Sequence, residues 1–347
     1  MQRSTLEFLC AVLAVFVSSL LVVFLVRPWY EPGKAESAPA SQPVASVPYH
    51  IAFASDRDAP DSGEWEIYDV FSDGTDLRRL TDSPGTNLMP AYSPDGSQIV
   101  FASTRSGVCN LYVMRADGTQ QRRVTEHSLT DTTPCWISAE DVAFARFSED
   151  ADNPTDLLAV NVSSGTIRRI TNSPGSDLSP HWMPDADTMV FVSDRERRGR
   201  FREFQLYRCA LDGSGQALFS IPRGARAAQD SCLQPSLSHD RDALVFRRFR
   251  SYGRFGTESV WWWNTDTGSM VEVLWMRVPL DGSVFTPDGD KLLVSYGDPL
   301  RLHFLDISAR ALGEMAVAEE EEDLGTAHLK PFPLEITAKH VAVSPFR

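Results

Sequence analysis

The chain has 347 residues, with 33 Lys and Arg against 47 Asp and Glu and a formal net charge of −14 at pH 7. So acidic a balance argues against a nucleic-acid partner, whose phosphates require a basic surface. Five cysteines, with no CxxC pair and no histidines at zinc spacing, argue against a structural zinc site.

The first element is the apolar run from Leu6 to Val26, in which Glu7 is the one charge. At about 21 residues it is long enough to cross a hydrocarbon core of about 30 Å as a helix. A cleaved signal peptide would carry a shorter apolar region followed by small residues, whereas Arg27-Pro28-Trp29-Tyr30 follow here. Residues 1–27 are therefore predicted to be a single transmembrane signal anchor, with Trp29 and Tyr30 suited to an interfacial belt. Residues 28–48 are rich in Pro, Ala and Ser and read as an extended linker. One folded domain, 49–347, remains.

That domain repeats one unit, clearest in Pro90 to Arg105, PAYSPDGSQIVFASTR. Pro94 presets the first turn corner, Asp95 can bond its own backbone, and Gly96 accepts the left-handed conformation that closes a hairpin. The apolar run Ile99 to Ala102 predicts a short strand buried on both faces. Degraded copies recur about every 48 residues, with turns at Ile137, Met183, Ser238, Thr286 and Ser344. The strand beside each turn centres on Phe53, Phe101, Phe144, Phe191, Phe246 and Val294. A third strand (Leu111-Tyr112, Leu206-Tyr207) ends in a small turn such as Asp117-Gly118, and a fourth follows at Arg79-Leu80-Thr81, Arg123-Val124-Thr125 and Arg169-Ile170-Thr171. Four strands per unit and six units predict an all-β, six-bladed propeller of four-stranded blades, preceded by the transmembrane helix. The blade phases predict that His340 to Val343 pairs beside His50 to Ala54 and closes the ring without a covalent link.

FASDR (Phe53 to Arg57), FVSDR (Phe191 to Arg195), LYVMRADGTQQRRVT (Leu111 to Thr125) and PAYSPDG resemble the repeats of TolB-type, WD-repeat-like β-propellers. The resemblance spans Tyr49 to Arg347 and is strongest in blades one, two and four. It implies a non-enzymatic protein-binding scaffold of bacterial envelopes, and hence a single-pass protein of the cell membrane with its propeller extracytoplasmic.

Candidate sites follow in chain order. Asn87, Asp131 and Asp177 stand three residues before Pro90, Pro134 and Pro180, in loops expected to enter the central channel. In-phase oxygen ligands there could hold a calcium ion, or the side chains could cap their own loops. No other cofactor is implied. Cys109 and Cys135 are placed at the same end of neighbouring blades, so an exported domain could join them in a disulfide. The Ser-Asp-Arg pieces at 55–57 and 193–195 recur with the blades, which argues for structural ion pairs or turn bonds rather than catalysis. Between Arg195 and Arg254 stand 13 Arg against 6 acidic residues, concentrated in two apparent insertions. Arg197, Arg198, Arg200, Arg248 and Arg250, interleaved with Phe249 and Tyr252, are predicted to contact an anionic envelope or extracellular protein. GxSxG, HExxH and P-loop motifs are absent from the sequence. The reading is a non-enzymatic scaffold that binds a protein or another envelope partner. The alternative is a carbohydrate-active envelope enzyme, lyase-like, with its site in the channel.

Overall fold

The computed structural model describes residues 47–347 except 61, 148–153, 184–186, 197–202, 220, 222–229, 239–241, 253–254, 277–279, 298–299, 317–328, 335–337 and 345–347. The predicted anchor and nearly all of the linker lie outside the described residues. Among the described residues no helix is long and apolar enough to cross a membrane.

Blade one contains β1 (His50–Ser55), β2 (Glu66–Phe71) and β3 (Arg78–Arg79); blade two contains β4 (Asn87–Tyr92), β5 (Gln98–Ser103), β6 (Asn110–Arg115) and β7 (Arg122–Arg123). Blade three contains β8 (Thr130–Trp136), β9 (Asp141–Phe147), β10 (Asp156–Asn161) and β11 (Ile167–Arg169); blade four contains β12 (Asp177–Met183), β13 (Thr188–Ser193), β14 (Gln205–Ala210) and β15 (Ala217–Leu218). Blade five is longer, with β16 (Asp230–Leu237), β17 (Ala243–Tyr252), β18 (Phe255–Asn264) and β19 (Met270–Met276). Blade six contains β20 (Leu280–Phe285), β21 (Lys291–Tyr296), β22 (Arg301–Asp306), a helix α1 (Ala309–Ala316) and β23 (Leu329–Pro331), and β24 (Lys339–Val343) returns to blade one. The described residues thus form six four-stranded sheets, the first in the order β24-β1-β2-β3. Each innermost strand touches those of both neighbouring blades, from β24 through β4, β8, β12, β16 and β20 back to β24. The predicted closure is present, with Ile51 opposite Val343 and Ala52 opposite Ala342.

The turn chemistry is as its residues require. Gly96 has φ 67° and donates to Ser93 O at 2.8 Å, while Asp95 Oδ1 accepts from the Ser93 hydroxyl at 2.5 Å and the Ser97 amide at 3.1 Å. After each turn the second strand buries its aromatic between two blades: Phe53, Phe101, Phe144, Phe191 and Phe246 are all 1% exposed or less. Burial of each ring contributes roughly 2–3 kcal/mol. Thr81, Thr125 and Thr171 anchor the fourth strand, each hydroxyl accepting a third-strand amide (Ile67, Leu111, Leu157) at 2.8 to 2.9 Å. Two glycines then let neighbouring blades touch. A Cβ on Gly118 would stand 3.0 Å from Leu80 O, and one on Gly213 only 2.1 Å from Ile170 O.

The innermost strands begin earlier than their prolines suggest. Proline favours an extended predecessor, but Met89, Thr133, Ser179 and Gln234, which precede Pro90, Pro134, Pro180 and Pro235, have φ between 47° and 57°. Each lies in a β-bulge, where the register shifts against the second strand. A proline is tolerated there because the innermost strand is an edge of its sheet.

Candidate functional site

The early strand starts change the meaning of Asn87, Asp131 and Asp177. They lie within β4, β8 and β12 rather than in loops, and all three are 0% exposed. Each meets an arginine from the end of its own second strand. Arg105 Nη2 donates to Asn87 Oδ1 at 2.8 Å, Arg146 spans both Asp131 oxygens at 2.6 and 2.8 Å, and Arg195 Nη2 donates to Asp177 Oδ1 at 3.0 Å. The guanidinium carbons also lie over rings: Arg105 on Phe101 and Tyr112, Arg146 on Phe144, Arg195 on Phe191 and Tyr207, at 4.5 to 5.3 Å from the centroids. A buried charge is thereby both paired and stacked.

In blades two and four the pair extends into a clasp on the preceding blade. Arg105 Nη1 donates to Gln121 Oε1 at 2.8 Å, and Gln121 Nε2 donates to Leu80 O at 2.9 Å. Arg195 repeats the link through Gln216, at 2.8 Å, and Gln216 Nε2 donates to Ile170 O at 3.5 Å. Ser103 and Ser193 accept from the arginine Nε, each at 2.9 Å. The Ser-x-Arg pieces of these two blades are thus structural ties. The calcium site is not formed by these positions, because each is closed by a guanidinium of its own blade. Among the described residues no three His, Cys, Asp or Glu side chains could hold a metal ion.

The predicted disulfide is also absent, and Cys109 and Cys135 are separate thiols. Cys109 O accepts the Asp131 amide at 2.9 Å, and Cys135 lies four residues farther along β8. That is roughly 13 Å at about 3.3 Å per residue. Burial pushes the Cys109 thiol up to about 12 and the Cys135 thiol up to about 11, so both are unreactive at neutral pH.

Of the predicted partner contacts, Arg197, Arg198 and Arg200 lie outside the described residues. The second apparent insertion is a continuation of strand: β17 pairs with β18 out to Ser251 opposite Gly256 and Tyr252 opposite Phe255. Register sets Arg248 opposite Cys232, as Arg146 stands opposite Asp131. Arg248 is therefore the arginine of the repeat itself, 5% exposed, its guanidinium 5.2 Å from the Trp261 ring. It stands inside the blade rather than on a partner surface. Phe249 is half-buried, and Arg250 and Tyr252 are placed by backbone on the hairpin. Beside them Arg247 Nη1 lies 3.7 Å from Glu258 Oε2, and Glu258 accepts the Leu280 amide at 3.1 Å. Burial raises the Glu258 carboxyl above its ordinary range against the opposing pull of Arg247.

One group has no counterpart in the repeat pattern. Asp69, 1% exposed, accepts from His50 Nδ1 at 2.9 Å, Arg78 Nη2 at 2.6 Å and the Tyr92 hydroxyl at 2.7 Å. It ties blade one to blade two. Sequence reasoning missed it because the places equivalent to Asp69 in the other third strands hold Val113, Ala159, Arg208, Trp262 and Phe304, so the acid breaks the phase that made the other positions visible. His50 and His340 lie at opposite ends of the closing strand pair: Ser344 donates to His50 O, whereas the His340 amide donates to Asp281 Oδ2 at 2.6 Å.

Residues 33–151 match the family described as the TolB beta propeller domain. A TolB homolog of Chlorobium luteolum is 35% identical over 146 residues, 42% of this chain and 32% of that protein. The chain thus spans about a third of the length of the curated relatives it matches. TolB from Acinetobacter baumannii superposes with a TM-score of 0.66 at 16% identity, covering 86% of this chain and 67% of that one. Oligogalacturonate lyase from Vibrio parahaemolyticus gives 0.51 at 17% identity, covering 74% and 71%. At such identities the structural likenesses establish the fold alone. Six closed four-stranded blades make the domain a six-bladed β-propeller, and over residues 33–151 its repeats are similar to those of the TolB beta propeller domain.

Proposed function

We propose that this protein is a membrane-anchored, extracytoplasmic propeller that binds a protein partner and performs no catalysis. One observation carries the reading: the ionisable groups that the repeats share are committed to partners within the fold. Asp131 and Asp177 hold Arg146 and Arg195, Glu66 holds Arg79 at 3.0 Å, and Asp156 holds Arg169. A general acid or base needs a proton it can exchange with substrate, and these carboxylates are locked as acceptors. What varies between blades is the loops and hairpins, which is where a rigid scaffold carries recognition. The apolar run 6–26 supports anchoring, and likeness to TolB homologues supports an envelope location.

On this reading Arg197, Arg198, Arg200 and Arg250, with Phe249 and Tyr252, contribute to an anionic partner's contact, while Arg248 supports the hairpin from within. The test is capture of partners from detergent-solubilised membranes by the full chain, at low and high salt, beside a variant with those four arginines replaced by serine. Reduced recovery by the variant at low salt, and by the wild type at high salt, is expected. Equal recovery at low salt would remove the arginines from the interface. The lyase reading rests on the fold likeness alone, and release of unsaturated product from polyuronides by the purified protein would establish it instead.

A further inference from the structure

The bulges of the innermost strands put one half-buried residue of each blade on the strand edge that borders the central channel. These are Met89, Thr133, Ser179, Gln234, Asp281 and His340, all but Asp281 with φ between 47° and 57°. Two of their amides show where such an N–H points. Thr133 N donates to Met89 Sδ at 3.2 Å, and His340 N donates to Asp281 Oδ2 at 2.6 Å. In both, the acceptor is the bulge side chain of the preceding blade.

Register gives the Ser179 and Gln234 amides the same direction. Asp177 and Cys232, two residues before them, donate to Thr155 O and Phe204 O of the preceding blade at 2.8 Å, just as Asp131 donates to Cys109 O at 2.9 Å. Alternate residues of a strand send their N–H groups to the same side. What blades four and five lack is the cap. The side chains due to supply it are Thr133 and Ser179, both shorter than Met89 and Asp281. The Thr133 hydroxyl is buried and bonds nothing, and among the described residues no side chain accepts from the Ser179 or Gln234 amide. Pro180 and Pro235 follow and carry no N–H, so these two amides are the donors of their bulges. An N–H turned away from its sheet calls for an acceptor.

We propose that this arc of the channel binds the carboxylate of a ligand, one oxygen on Ser179 N–H and the other on Gln234 N–H. The molecule supplies the precedent, since its own Asp281 carboxylate caps the equivalent amide of blade one. Convergent backbone N–H groups form anion sites, and a bond to an ionised acceptor is roughly twice as strong as a neutral one. The nearby acids Asp131 and Asp177 are each paired with their own arginine and so do not oppose the charge. Two N–H donors disfavour a metal ion. A doubly charged phosphate would find no cation among Thr133, Ser179 and Gln234. The site is independent of the arginine-bearing hairpin, and its ligand group is found at the C-terminus of a peptide and on a uronic acid sugar alike.

The test is a titration of the full chain in detergent, isotope-labelled at serine and glutamine nitrogen and read at the Ser179 and Gln234 amide resonances, which Ser179→Ala and Gln234→Ala identify by their loss. The probes are N-acetyl-trialanine, its C-terminal amide, galacturonate and inorganic phosphate. The free-acid peptide or galacturonate should shift both resonances downfield with a Kd on the order of 1 mM, and whichever does so names the source of the carboxylate. The amidated peptide should bind at least about tenfold more weakly. Ser179→Asp, which gives blade four the carboxylate that Asp281 gives blade six, should move the Gln234 resonance without any probe and abolish its response. No shift at about 50 mM of either carboxylate, or equal shifts by the amidated peptide or by phosphate, would overturn the proposal. So would a folded Ser179→Asp protein whose Gln234 amide still responds as the wild type does.

Discussion

Blades two and five share one strand plan and are held by different chemistry. In blade two the innermost strand presents Asn87 to Arg105, which reaches through Gln121 to the backbone of blade one. In blade five Cys232 stands in the Asn87 place, Arg248 remains but lies over Trp261, and the next residue, Arg247, faces the buried Glu258. The polar clasp fixes where the second strand must stop, because its arginine has to turn back over the aromatic. Where the clasp is lost, aromatic packing takes over and the strands are free to lengthen, β17 and β18 to ten residues against six in β5 and β6. The repeat therefore constrains the blades that carry it and releases the one that does not.

The harshest way to break this comparison is to remove β24. Truncation before Lys339 leaves blade one without its innermost strand, and a loss comparable to the whole stability of a domain, on the order of 5 kcal/mol or more, is expected. If clasps hold the repeat blades, amide protection should disappear from blades one, five and six before blades two to four. Uniform loss, or a melting temperature equal to that of the intact chain, would refute it.

A second test compares the pairs themselves. Asp131→Ala strands the buried guanidinium of Arg146 and should cost about 3–5 kcal/mol in denaturant unfolding. Arg248→Met keeps the contact with Trp261 and should cost about 1–2 kcal/mol. Equal losses would mean that both arginines do the same work.

Glycine offers a finer contrast. Gly213 and Gly268 occupy equivalent turns of blades four and five with φ 88° and 75°, but nothing lies within 4 Å of a Cβ on Gly268. Gly213→Ala, which must push Ile170 O away, is expected to cost about 3 kcal/mol, and Gly268→Ala about 1 kcal/mol for its backbone conformation alone. Thermal midpoints of the two variants would decide it.

The last contrast depends on pH and lies on the boundary between the two kinds of blade. His181 Nε2 of blade four accepts the Leu237 amide of blade five at 3.1 Å, and burial lowers its pKa from 6.5 to about 4. The unfolded chain takes up this proton near pH 6.5 while the folded imidazole does not. Stability is therefore complete above that pH and falls as the pH drops toward 4, by on the order of 3 kcal/mol. His181→Gln should flatten the pH dependence of stability over that window, and an unchanged slope would exclude His181 as its source.

The number of blades, their turns, the buried phenylalanines and the closing strand were legible in the sequence because each is short-range chemistry repeated in phase. Proline misled the placement of the innermost strands, since the left-handed residues before Pro90, Pro134, Pro180 and Pro235 hide three strand residues in what reads as loop. That displacement accounts for the calcium ring and for the Cys109–Cys135 pairing together. Blade five was read as an insertion because FRRFRSY breaks the blade length, whereas pairing with β18 makes it strand. Asp69 was invisible because a contact made once leaves no period.

The return of β24 to β1 also sets a timetable. The two strands are separated by roughly 290 positions, so their pairing is about as non-local as the chain permits. Synthesis delivers β1 before, and β24 after, every other strand of the ring. Blade one is thus the first to emerge and the last to be finished, and until then it presents the uncovered edge of His50–Ser55. A chaperone that guards a nascent propeller of this kind would be needed at its beginning, and released by the arrival of its end.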